Sequence, residues 1–249
     1  LVPLLAISLL LSKYHWPTNS SKTLTTVFAE ERPNRYHAGI DVRTYGKSGY
    51  PLFAIEDGYI ERVRISTKGY GKAVYLRLND GNVALYAHLE KFSPELEAAV
   101  EELQIKRNSY SIDHTFGKND FRYKRGETIG YTGDTGTISG PHLHFEIRNK
   151  NGQPINPMME DGFKIKDTMA PVPTLISFLP CGPKSVIDGA AMPKTLSLQK
   201  RDKIYTSNDT LSIHNSFQIA LSADDYIDEQ PFTYGLYRIE VFIDDSLYY

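Results

Sequence analysis

The 249 residues carry 28 Lys+Arg against 30 Asp+Glu, a formal net charge of −2, so no global field points to nucleic acid or to an anionic membrane surface. The length suits one or two domains at about 100–200 residues each, and the single cysteine, Cys181, excludes an intrachain disulfide. Tyrosine is frequent, at 17 against one Trp, which suits a β-rich surface that binds peptide or carbohydrate and equally suits ordinary strands.

In chain order, Leu1–Leu11 is an apolar run of signal-peptide length, short for a membrane span, with no initiating Met or basic segment before it. Residues 1–15 are therefore expected to be the remnant of a leader. That implies export to the cell envelope, periplasmic or extracellular. Anchoring by this segment and a buried N-terminal strand are the alternatives. Next comes His37-Ala38-Gly39-Ile40-Asp41. Its i, i+4 spacing imitates a helical metal motif, but Pro33, Gly39 and Val42-Arg43-Thr44-Tyr45-Gly46 favour a turn running into a strand. Such a loop can wrap both side chains around one ion. His88 follows in Tyr86-Ala87-His88-Leu89. The stretch from Phe92 to Arg125 opens with a helix start at Ser93-Pro94-Glu95 and continues with Leu96, Val100 and Leu103 at helical spacing. Ser109–Tyr123 is polar, aromatic and turn-rich, so this insertion (92–125) reads as a lid or binding element, or as a hairpin covering a sheet edge.

The turn-forming run Thr137-Ile138-Ser139-Gly140-Pro141 leads into His142-Leu143-His144-Phe145-Glu146-Ile147-Arg148, whose strict alternation predicts a half-buried strand. His142 and His144 then share one face, about 7 Å apart, while Leu143, Phe145 and Ile147 anchor the other in a core. Glu146 continues the polar face, either supporting the site or as a solvated strand residue. After Pro157 the character changes. Ile165–Pro173 reads as a linker, and Leu175–Leu179, Phe217–Leu221 and Tyr237–Ile243 read as strands, with Asp244-Asp245 a turn into a return strand. Strand pattern alone suggests an immunoglobulin-like sandwich over 166–249, cut short by ending inside a hairpin.

Five residues carry chemistry: His37, Asp41, His88, His142 and His144. A catalytic zinc needs three protein ligands plus a water, and a His₂-carboxylate set is one established solution. Two histidines then remain for proton transfer, which is what amide hydrolysis at neutral pH requires. Taken singly, a His-x-x-x-Asp or a His-x-His is a weak signal. As an ordered set, with Gly-Pro-His-Leu-His-Phe-Glu among them, they are specific. His15, His114 and His214 lie outside these motifs and read as surface or loop residues, with His114 alone kept as a groove contact.

The ordered set resembles the lysostaphin-like (LytM-type) zinc endopeptidases of peptidoglycan. The matching residues are Arg32–Asp41, Ala54-Ile55-Glu56-Asp57-Gly58, Gly69-Tyr70-Gly71, Tyr86–Leu89, Gly126-Glu127-Thr128-Ile129-Gly130, Thr132-Gly133, Gly140–Glu146 and Asn156-Pro157. They fall in the family order from about Trp16 to Pro157. The resemblance implies a mainly β fold: a compact antiparallel β catalytic domain over 16–165 with a groove over the zinc. It implies one Zn²⁺ held by His37, Asp41 and His144, with His88 and His142 as the catalytic pair. The implied function is endopeptidase cleavage of peptidoglycan stem or cross-bridge peptides, here a D,D-endopeptidase on direct cross-links. Some relatives of this fold have lost the metal and activate separate wall amidases. A non-catalytic regulator working with an envelope partner is therefore the alternative, and a wall-binding module with a structural zinc is a further one. Ile138 departs from the small or polar residue usual there, which bears on the groove wall.

Overall fold

The computed structural model describes residues 12–249. The chain divides into two compact units, the first ending at Ile165 and the second spanning Lys166–Tyr249. Most of the leader expected over 1–15 falls outside the described residues. Of its last four residues, Tyr14 is fully buried in the first unit, and its hydroxyl donates to Asp80.

The first unit is built on a nine-stranded antiparallel sheet. Its main path runs Leu24–Thr26, Ile40–Arg43, His142–Arg148, Val83–Ala87, Lys72–Leu78, Gly58–Ile65, Ile112–Thr115. Alternation decides which side of each strand is buried in the core. Ile40 and Val42, Leu143, Phe145 and Ile147, and Val74 and Leu76 are all fully buried. Phe145 stacks on Phe163 at 5.2 Å between centroids and meets Tyr86 edge-on at 5.1 Å. A second, three-stranded sheet joins Pro51–Phe53, Thr128–Thr132 and Leu89–Phe92. Tyr86 ties the sheets together: its hydroxyl donates to the Phe53 carbonyl at 2.8 Å and accepts from the Ile55 amide at 3.3 Å.

The insertion covers a sheet edge. The helix Pro94–Arg107 begins with Pro in its first turn and buries Leu96 and Val100, as its spacing predicts, and ends at Asn108 in the left-handed region. Ile112–Thr115 and Arg122–Tyr123 then both pair with Gly58–Ile65. Pairing hides backbone groups that a bare edge strand would expose. His114 sits on that edge, beside Arg107 and against the Phe116 ring, and not in the groove described below.

In the second unit Val172–Pro180 pairs with Lys194–Ser197 and with Phe217–Asp224, so two of the three strands read from alternation are present. The third is strand only at Phe242–Ile243, in a short ladder with Ser246–Leu247. Tyr237 and Ile239 are exposed, and alternation without a neighbouring strand or covered face does not make a strand. These elements do not establish an immunoglobulin-like sandwich.

Candidate metal centre

Main-chain register brings the candidate residues together. His144 pairs directly with Asp41 on one side and with Ala87 on the other, so Asp41, His144 and Ala87 stand in one row across the sheet, on the same face. The loop before Asp41 passes so close to the neighbouring strand that a Cβ on Gly39 would lie 2.1 Å from the Phe145 carbonyl oxygen. Only glycine fits there, and that approach sets His37 over the row.

Three donor atoms converge. His37 Nε2 lies 3.1 Å from Asp41 Oδ1 and 3.0 Å from His144 Nδ1, and His144 Nδ1 lies 2.8 Å from Asp41 Oδ1. Ligands bound to a tetrahedral zinc stand about 3.3 Å from one another, close to this spacing. Each residue is also oriented from behind. The Nδ1 of His37 donates to the Val27 carbonyl at 2.7 Å, which leaves Nε2 as the electron-pair donor. The Nε2 of His144 donates to Glu146 at 2.9 Å, which leaves Nδ1 free to donate its pair. Asp41 Oδ2 accepts from Thr26 at 2.6 Å and from Arg32 at 3.1 Å, so Oδ1 faces the other two donors. Outer hydrogen bonds of this kind fix tautomer and ring direction at metal sites.

The electrostatics favour a cation at this point. Burial alone would lower the His144 pKa, but the carboxylates of Asp41 and Glu146 carry it up to about 9 in the metal-free ring, where a proton on Nδ1 occupies the place a metal ion would take. Burial would raise Asp41, and the hydrogen bonds and charges of His144 and His37 hold it well below the usual carboxylate range. A buried His₂-carboxylate set with two outward tautomers and a field that attracts positive charge fits a divalent metal ion. Among the described residues, His37, Asp41 and His144 are the group whose donors could hold one.

His88 and His142 sit beside this set. His88 has φ 64° where the chain leaves the strand Val83–Ala87 and enters Leu89–Phe92. A non-glycine residue in the left-handed region carries about 1–3 kcal/mol of strain, and here the kink sets the His88 and His142 rings 4.9 Å apart. Each gives Nδ1 to a main-chain carbonyl, His88 to Thr135 at 2.9 Å and His142 to Gly140 at 2.9 Å. Their Nε2 atoms are thereby left to other partners, with that of His142 lying 3.7 Å from Asp41 Oδ1. Burial lowers the His88 pKa to about 4, so it is neutral at pH 7.

Glu146 is fully buried, so the solvated alternative for it does not hold. Tyr70 covers it: the ring stacks on His144 at 5.3 Å and the hydroxyl donates to the Glu146 carboxylate, which also accepts from Arg148 Nε at 2.7 Å. Alternation told which face Glu146 occupies but not that a loop from another part of the chain closes over it. Thr26 lies in no motif. Arg32 and Tyr70 belong to matching motifs, but nothing in the sequence gave them a role at the site. All five expected residues and Ile138 line a groove of about 870 Å³, and His37, Asp41, His88 and His144 are buried there.

Comparison with known proteins follows the same lines. Residues 113–157 match the model of peptidase family M23. The chain is 38% identical over 124 residues to the DD-carboxypeptidase/endopeptidase Mpg of Neisseria meningitidis serogroup B, covering 50% of this chain and 22% of that one. It is 30% identical over 148 residues to the murein hydrolase activator NlpD of Escherichia coli, covering 59% and 31%. The chain thus spans less than a third of either relative. Among solved structures, the catalytic domain of a mutant of the prophage-encoded M23 protein EnpA from Enterococcus faecalis is 26% identical, with a TM-score of 0.39 over 54% of this chain and 88% of that one.

Proposed function

We propose that the chain is a zinc-dependent endopeptidase of the cell envelope, related through its first unit to the lysostaphin/LytM-type M23 peptidases and cutting peptide bonds in peptidoglycan as a D,D-endopeptidase on direct cross-links. The observation that carries this reading is the convergence of His37 Nε2, Asp41 Oδ1 and His144 Nδ1 within 3.1 Å of one another, beside two histidines whose Nδ1 atoms are already committed. His37, Asp41 and His144 would hold the metal. Zinc bound there supplies Lewis acidity for the scissile carbonyl and lowers the pKa of a water toward about 7. His88 and His142 present Nε2 to the groove, where the one that takes a proton from the attacking water can return it to the leaving amine, and the other, when its Nε2 is protonated, can hold the developing oxyanion. Buried Glu146 and the Val27 carbonyl keep the two ligand imidazoles in the required tautomers.

A second reading draws on the similarity to NlpD, which is named as an activator of murein hydrolases. In that reading the same surface recruits an envelope hydrolase and cuts nothing. The complete donor set and histidine pair support the catalytic reading, because an activator needs neither. The test is zinc content of the purified protein together with mass spectrometry of digested muropeptides. His144→Ala should lose both zinc and cleavage, and His142→Ala should keep zinc and lose turnover. A zinc-loaded wild-type protein that releases no product from any cross-linked muropeptide, yet stimulates a separate amidase, would establish the activator instead.

A further inference from the structure

The groove beside the metal-ligand set is basic in a chain whose net charge is −2. Arg32, Arg35, Arg64 and Lys68 line it, against Glu30 and Asp41 alone among carboxylates. Arg32 is held by Asp41. The side chains of Arg64 and Lys68 have no hydrogen bond or ion pair among the described residues. Their surroundings make this unusual. On the same sheet Arg77 pairs with Glu61, Lys72 with Glu97 and Arg148 with Glu146. Asp113 is the register partner of Arg64, yet it gives its carboxylate to Arg62, with Nε donating at 2.6 Å. Arg64 thus has a carboxylate neighbour and is left outside the pair.

Its position is fixed by the same row that builds the metal centre. His144 pairs with Ala87, Val74 pairs with Tyr86 so that Ala73 comes beside Ala87, and Ala73 pairs with Arg64. Three strand spacings of about 4.8 Å put Arg64 about 14 Å from His144, the length of roughly four extended residues. Tyr70 packs against the buried cluster that includes the two alanines, Ala73 and Ala87, and Lys68 comes from the turn that carries Tyr70.

We propose that Arg64 and Lys68 form a carboxylate-binding subsite at one end of the groove, so that the peptide accepted carries a free carboxylate within about four residues of the metal centre. Such a peptide is an acidic stem, and the subsite discriminates against amidated stems and against neutral glycine bridges. This rests on the groove being the peptide-binding site of the proposed hydrolase. Exposed cations contribute modestly one by one, but two lining the same groove and acting on one anion discriminate charged from neutral ligands.

The experiment uses two synthetic, directly cross-linked stem peptides that differ only in whether their side-chain carboxylates are free or amidated. Binding is read by fluorescence anisotropy on zinc-loaded full chain with His142→Ala, so that no probe is consumed. The acidic peptide should bind about tenfold tighter than the amide, and the preference should shrink as salt is raised. Adding R64Q and K68Q should bring the ratio close to one with zinc content and melting temperature unchanged, while K106Q, in the last turn of the helix and outside the groove, should leave the preference intact. Equal binding of the two peptides by the parent, or a full preference surviving in R64Q/K68Q, overturns the subsite. The outcome is separable from that of the hydrolase reading: preferential binding without cleavage by the wild-type chain sinks the hydrolase and keeps the subsite, and equal cleavage of both peptides does the reverse.

Discussion

Replacing Glu146 by Gln isolates what the buried carboxylate does for His144. Glutamine has nearly the same volume, so no cavity opens, and its oxygen can still accept from His144 Nε2. What disappears is a charge that is fully buried and receives three donors, from His144, Arg148 and Tyr70. The amide must also turn one NH₂ toward either Arg148 or Tyr70, leaving donor facing donor. Removing one partner of a buried pair costs about 3–5 kcal/mol. Arg148 keeps 27% of its side chain exposed and can turn partly to water, so about 1–3 kcal/mol is expected. At the metal the loss is less basic ligation and a looser ring, which in comparable carboxylate–histidine arrangements lowers affinity about 10–100-fold, or about 1.4–2.7 kcal/mol. Competition with a fluorescent zinc chelator gives the affinity, and a thermal melt in excess zinc gives the fold stability. E146Q should show both losses, and the affinity loss should persist below its melting temperature. Wild-type zinc affinity in a folded E146Q protein would refute the orienting role.

Four other outcomes are expected. Gly39→Ala places a methyl 2.1 Å from the Phe145 carbonyl oxygen, so the two strands must part; a loss of at least about 1–3 kcal/mol and of zinc binding should appear in melts and metal analysis. Tyr70→Phe keeps the ring on His144 and removes the hydroxyl bond to the Glu146 carboxylate, which should cost about 1.5–3 kcal/mol while zinc stays bound. Burial would raise the pKa of Asp80, but the Tyr14 hydroxyl, the Asn82 amide and Lys13 hold it below the ordinary value. Its folded pKa is thus depressed, so its stabilisation is present above the unfolded value near about 3.9 and is lost as pH falls through the folded value. Asp80→Asn should therefore melt lower than wild type at pH 7 and together with it near pH 2, by circular dichroism. Chelation of the metal should lower the melting temperature of the wild-type chain, by RT ln(1 + [L]/Kd) in free-energy terms, and should leave His144→Ala unmoved.

Much of this site was legible because its parts are local. A turn before His142 and alternation through Arg148 fixed the strand and the shared face of His142 and His144, and Pro94 with Leu96 and Val100 marked the helix. What escaped was whatever depends on a second segment arriving from elsewhere. Glu146 is buried because the Tyr70 turn folds over it, and Asp41 is oriented by Thr26 and Arg32 from a neighbouring strand and hairpin. The sequence marked His88 as a candidate but not its left-handed backbone, which arises where the chain passes from the strand Val83–Ala87 in one sheet to Leu89–Phe92 in the other. In the second unit, Tyr237–Ile243 alternates as well as His142–Arg148 does, but lacks the flanking strands that turn alternation into burial.

Fold and site are therefore set by a single constraint, the pairing register of His142–Arg148 with Ile40–Arg43 and Val83–Ala87. A slip of one residue would turn His142, His144 and Glu146 into the core and expose Leu143, Phe145 and Ile147. Three fully buried apolar side chains oppose that slip, each worth about 1.5–3 kcal/mol in burial. The metal ligands need no register-setting energy of their own, and they occupy the face that the core leaves free. The same row that aligns Asp41 with His144 continues through Ala87 and Ala73 to Arg64, so substitutions that loosen the core beneath Phe145 should weaken metal affinity and the preference for acidic peptides together, while replacing the exposed Lys68 side chain alone should move only the second.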